Sequence, residues 1–195
     1  MRWTRWTALL GSLAAVVAAV VTLSCATTQQ APAPAPMTQQ QKIERGEYLS
    51  IICACNDCHT PGTLFGEPDF ERKLSGSELG WSGPWGTTFA RNLTPNPETG
   101  IGAWSEDDIV KAFRTGQRPD GTTLLPPMPW QMYARMTDED AYALAAFLKS
   151  IPVVAHKVPD RLPPGAKAMG SIIHWPPPSA WDAPKTPPAA AGSTK

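Results

Sequence analysis

The chain has 195 residues with 17 basic and 17 acidic side chains, and no run of like charge dominates it. Once residues 1–24 are set aside as an export segment, 15 basic residues face 17 acidic ones, a balance that excludes charge-driven nucleic-acid binding. The distribution is uneven: residues 25–155 hold 10 basic and 15 acidic residues, and 156–195 hold 5 and 2, so an acidic body carries a basic tail.

Residues 1–24 read as a signal peptide. Arg2 and Arg5 form a positive start, and Ala8 to Leu23 form an apolar stretch short for a membrane span. Small Ser24 before Cys25 resembles a lipoprotein cleavage site, with Thr22 as a departure, and makes Cys25 the expected point of lipid attachment. These features predict an exported protein of the periplasm or cell envelope, tethered to a membrane through that lipid. Residues 25–40 alternate Ala with Pro among Gln and Thr, the composition of a semi-rigid spacer.

A domain is expected over 41–155. Thr38 stands as N-cap for a helix from Gln39 to Cys53, with Tyr48, Leu49 and Ile52 on one face. Gly46 inside it costs up to ~1 kcal/mol relative to alanine, which close approach of another helix would justify. Ser105 opens a second helix that places acidic residues in its first turn and stops at Gly116. Thr137 caps a third, with Leu144, Ala145 and Leu148 on a stripe and Pro152 beyond its end. About fifty Gly- and Pro-rich residues separate the first two helices, too many for a self-sufficient core unless they wrap a large bound cofactor. The tail over 156–195 contains nine prolines and reads as extended chain, although Ile172, Ile173, Trp175 and Trp181 are apolar enough to lie partly against the domain.

Residues 51–61, "ICACNDCHTPG", crowd three cysteines and a histidine together. A zinc or iron–sulfur site needs about four ligands, and no second cysteine pair exists. A thioredoxin-like pair follows a strand, whereas this cluster follows a helix pattern. Haem attachment uses every part of Cys55-x-x-Cys58-His59: two thiols add to the vinyl groups, and the imidazole becomes an axial iron ligand. One covalent haem c is expected. For the sixth ligand the candidates are Met128, Met132, Met136, Met169, His156 and His174. Met128 is preferred, because Pro126, Pro127 and Pro129 stiffen the loop presenting it, while Met132 and Met136 read as core filler.

The segments "ERGEYL", "CNDCHTPG", "NLTPNPETGIGAWSEDDIVKAFRTG" and "PPMPWQMYARMTDEDAYALAAFLKSIP" together resemble a class I cytochrome c domain over roughly residues 42–155. More closely, they resemble the haem domains of cytochrome subunits that accept electrons from bacterial periplasmic dehydrogenases for alcohols, aldehydes and sugar acids. The resemblance implies an all-α fold of three or more helices and long loops around the haem. It gives Cys55 and Cys58 the thioether role, His59 the proximal and Met128 the distal position, and has Gly46 meet Tyr142 or Phe147 of the last helix. Arg91, Asn92 and Trp104 fall in the segment that resembles the propionate-side loop. Those subunits string several haem domains together, while one haem motif stands here, and Cys53 is not required by the pattern. The implied function is one-electron transfer without bond-breaking catalysis, between a donor dehydrogenase and a downstream acceptor. The alternatives are a fixed haem subunit of a dehydrogenase complex, gripped by the tail, and a haem enzyme or gas sensor with an open distal position.

Overall fold

The structure is a computed structural model that describes residues 35–177. The signal peptide, Cys25, most of the spacer and Trp181 lie outside the described residues.

Helix α1, Gln39–Ile52, begins where the sequence places it. Thr38 accepts the Gln41 N–H, and the Gln41 side chain returns to the Thr38 N–H, which satisfies two helix-end donors reciprocally. Helix α3, Glu106–Thr115, uses the same device between Ser105 and Asp108 and ends at Gly116, whose φ of 72° belongs to the left-handed region. Helix α5, Asp138–Ser150, is capped by Thr137, with three acidic residues in its first turn and Lys149 in its last, as the helix dipole favours. Short helices Cys55–His59 (α2) and Trp130–Tyr133 (α4) complete the α-helices of the described residues, beside two single 3-10 turns at Thr63–Phe65 and Phe70–Arg72.

Helices α1 and α5 cross at Gly46. A Cβ there would stand 2.6 Å from Phe147 Cβ and closer still to the Ala143 carbonyl, so the missing side chain is what permits the crossing. Phe147 is therefore the aromatic partner, and Tyr142 instead turns to hydrogen-bond Asp107 at 2.6 Å. Behind the crossing, Leu49, Leu74, Ile101, Ile109, Val110, Phe113, Leu144, Phe147 and Leu148 are buried together. Removing a Leu or Phe side chain of this kind from water is worth roughly 1.5–3 kcal/mol.

The described residues also contain a sheet, so the all-α expectation is not met. β1, Gly80–Gly83, pairs antiparallel with β2, Gly86–Phe89, and β3, Ile172–His174, adds parallel to β1, giving the order β2-β1-β3. The strands are three or four residues long, and β1 begins and ends on glycine. Neither length nor composition leaves an alternating pattern to read. β3 comes from the tail: Trp175 donates to Ser82 O at 2.7 Å, and its ring lies 5.7 Å from Trp81 and 5.9 Å from Trp85.

Candidate haem-attachment site

Helix α1 does not run on into the cysteine cluster. Ala54 adopts the left-handed conformation at φ 55°, which breaks the chain direction and starts α2 at Cys55. Cys53 closes α1 in that turn, and its carbonyl accepts the Tyr133 hydroxyl at 3.0 Å. Cys53, Cys55 and Cys58 are all free and half-buried, and Cys55 packs against the core.

His59 is held from two sides. Its carbonyl accepts the Gly76 N–H at 2.8 Å, and its Nδ1 lies 2.7 Å from the Arg91 carbonyl. A carbonyl only accepts, so Nδ1 carries the proton and donates. Nε2 is then the unprotonated nitrogen, the form that binds a metal. Burial pulls the His59 pKa below the ordinary value, against the opposing Arg91 carbonyl, and so favours the neutral ring. The next residue secures the arrangement: buried Thr60 donates to Asn56 Oδ1 at 3.0 Å and accepts the Leu74 N–H at 2.9 Å. Leu74 is fully buried at φ 60°, an unusual conformation for a branched side chain, and its carbonyl accepts the Leu93 N–H.

The thiols discriminate between cofactors. Burial, then the neighbouring charges of Cys53, Cys58 and Asp57, push Cys55 up to about 12, and burial followed by Asp57 raises Cys58. A reactive redox pair is activated by a lowered thiol pKa, and burial acts in the opposite direction on both thiols. Among the described residues no three His, Cys, Asp or Glu side chains converge as a zinc or iron–sulfur site requires. Two protonated thiols one helical turn apart, beside a neutral imidazole with Nδ1 committed, do fit covalent haem. The donor set matches thioether formation plus one axial nitrogen.

The chain is 40% identical over 121 residues to the cytochrome c subunit of a quinone-dependent alcohol dehydrogenase from Gluconobacter oxydans, covering 60% of this chain and 24% of that protein. The chain is thus similar to part of a dehydrogenase cytochrome c subunit. The chain is also 35% identical over 150 residues to the fructose dehydrogenase cytochrome subunit of Gluconobacter japonicus, covering 76% of this chain and 29% of that one. A dihaem c-type cytochrome of Cereibacter sphaeroides is 33% identical over 111 residues, 57% of this chain and 36% of its own length. The chain thus spans from about a quarter to somewhat over a third of the length of these relatives. No protein-family model matches it.

The other expected residues fall in different places. Met128 is half-buried in the loop between α3 and α4, where its N–H donates to Leu125 O and the neighbouring Pro126 carbonyl accepts Thr88 Oγ1 at 2.8 Å. Its loop is thereby tied to β2, three residues before Arg91. The Arg91 guanidinium is turned toward the tail, donating to Val158 O, Pro159 O and Asp160. Asn92 has no capacity left for a haem carboxylate, contrary to the sequence-based expectation. Its amide nitrogen donates to Thr99 Oγ1, Val154 O and His156 O, and its oxygen accepts from the Thr94 N–H and hydroxyl. Trp104 packs against the core with the Arg118 guanidinium 5.8 Å from its ring.

Arg118 and Arg161 were not singled out by sequence. Burial, with the charges of Arg91 and Arg161, pulls the Arg118 pKa down despite Asp120, which places three guanidinium groups in one electrostatic neighbourhood. Arg161 also lines a cavity of about 360 Å³ with Trp85, Leu125 and Leu162 to Pro164, where the buried Trp85 Nε1–H has no acceptor. Neither the haem motif nor Met128 lines that cavity. Arginine is common enough on surfaces that only the fold reveals this grouping.

Proposed function

We propose that this domain carries one haem c and passes single electrons from a donor dehydrogenase to a downstream acceptor, as a periplasmic carrier or as a fixed subunit of a dehydrogenase complex. The observation that carries the reading is the His59 ring: Nδ1 committed to Arg91 O, Nε2 left for iron, and two free thiols within the preceding turn. Similarity to dehydrogenase cytochrome subunits supports the kind of partner.

Cys55 and Cys58 would hold the porphyrin through thioethers, and His59 and Met128 would supply ligands to its iron. The bound group supplies a reversible one-electron iron couple. The chain's own residues do the rest. Arg91 O orients the imidazole and raises its basicity, Thr60 and Gly76 fix the helix end, and Tyr133 holds the turn at Cys53. Trp104, Arg118 and Arg161 are the N–H and cationic groups suited to the porphyrin's carboxylates, whereas the Arg91 guanidinium is spent on the tail. No bond of a substrate is made or broken, so the domain works as a non-catalytic partner of the oxidoreductase that feeds it.

Among the described residues no helix is long and apolar enough to cross a membrane. The proposed tether is lipid on Cys25, and it is tested by blocking lipoprotein maturation, which leaves a larger precursor if Cys25 is acylated. The haem assignment is tested by expressing the full chain with a haem-attachment system. Haem should stay on the polypeptide through denaturing electrophoresis, and Cys55→Ser with Cys58→Ser should abolish that signal. Equal haem staining of the double variant overturns the reading.

A further inference from the structure

The tail does more than leave the domain. Val154 O accepts from Asn92 and Thr94, and His156 O accepts from Asn92. The Val158 and Pro159 carbonyls and Asp160 receive Arg91, and Leu162 exchanges backbone hydrogen bonds with Thr87 in an antiparallel bridge. As residue numbers rise along 154–162, their partners fall from 94 to 87, so this strap runs antiparallel beside the segment in which Arg91 contacts His59. Residues 154, 156 and 158 are the less exposed positions and 153, 155 and 157 the exposed ones, the period of two expected of a strand with one buried face. Val158 is buried, and a Cβ on Gly76 would meet its Cγ1 at 2.7 Å and the Asn92 N at 2.9 Å. Gly76 in turn donates to the His59 carbonyl. The strap therefore touches both residues that hold the histidine: Arg91 through its guanidinium and Gly76 through Val158.

We infer that residues 154–162 are a positioning element for the proximal histidine, with Arg91 as the positioning residue. By gripping the Arg91 side chain, the strap fixes the Arg91 carbonyl against Nδ1 and so sets the reduction potential of the bound group. The inference rests on the haem reading above. Its chemistry is the hydrogen-bond control of an axial imidazole: a firmer Nδ1–H···O bond makes the ring more basic and favours the oxidised metal.

The test compares the full-length holoprotein with Arg91→Leu, Arg91→Lys and Val158→Ala. Val158→Ala loosens the strap without changing charge. The readouts are the midpoint potential and the solvent exchange rate of the His59 Nδ1–H followed by NMR. The expectation is a higher potential and faster Nδ1–H exchange in Arg91→Leu and in Val158→Ala, with Arg91→Lys lying between Arg91→Leu and the unaltered chain. The sign is diagnostic, because simple removal of a positive charge beside the iron favours the oxidised state and lowers the potential. A fall, or an unchanged potential and exchange rate in variants that retain covalent haem, overturns the inference. Absence of covalent haem from the unaltered chain would instead defeat the haem reading itself.

Discussion

Replacing Gly46 by alanine sets two effects of opposite sign against each other. In an isolated helix the change gains up to ~1 kcal/mol from propensity. In α1 the new methyl would stand 2.6 Å from Phe147 Cβ, where ordinary contact begins at 3.4 Å, and it would press harder still on the Ala143 carbonyl. That carbonyl belongs to the backbone of α5 and has no rotamer to escape into, so the helices must part by roughly an ångström. Overpacking of this kind costs ~1–3 kcal/mol, and occasionally more, and rigid backbone places it at the upper end. The net expectation is a loss of about 2 kcal/mol, or roughly 6–10 °C in the melting temperature for a domain of this size. Thermal and urea unfolding of the haem-loaded protein, monitored by far-UV circular dichroism, measure it. An alanine variant as stable as the parent, or more so, refutes the close crossing, because propensity alone predicts that outcome.

Three further outcomes follow from named contacts. Glu78 meets His156 at 2.8 Å and Arg72 at 3.5 Å; burial raises its pKa, but its own backbone N–H and then His156 and Arg72 bring it below the ordinary 4.5. A depressed carboxylate contributes stability that is complete above its unfolded value and is lost as pH falls through its folded value. The melting-temperature gap between the parent and Glu78→Gln should therefore narrow below pH 4.5, and a gap that is constant with pH contradicts the assignment. Met128→Ala should let carbon monoxide bind rapidly to the reduced protein, seen as a shift of the visible spectrum, while the parent stays unmoved. Equal binding by both removes Met128 from the distal position. Cys53→Ala should retain covalent haem on a denaturing gel, since Cys53 lies in the turn before α2, and loss of that haem would mean that Cys53 takes part in attachment.

The three long helices were legible because their ends are written in local chemistry. Thr38, Ser105 and Thr137 each accept a backbone N–H three residues on, and Gly116 supplies the left-handed stop. Gly46 was readable as a close approach, though only the structure chooses Phe147 over Tyr142. Cys55, Cys58 and His59 were readable as a candidate haem-attachment motif because that spacing is chemical rather than architectural. The hydrogen bond that orients His59 was not, because its acceptor is a backbone carbonyl and any residue type at position 91 would provide one. The sheet was hidden for a related reason: β1 finds its parallel partner some ninety residues downstream, and strands this short carry too few side chains to show a period. Asn92 was misjudged because an amide reads the same in a sequence whether it faces a ligand or closes a loop.

The tie between Thr88 and Pro126 has a consequence for how this segment can vary. Thr88 holds the loop two residues ahead of Met128, and Arg91, three positions further on, holds His59. At about 3.3 Å per extended residue, those three steps act as a ruler roughly 10 Å long between two anchorages that approach from separate parts of the chain. A one-residue insertion between them would turn every later side chain to the opposite face and shift one anchorage relative to the other. Length changes should accordingly be tolerated in the exposed turns around Gly66 and Gly121, where an added side chain meets nothing within 4 Å, and be excluded from residues 88–91.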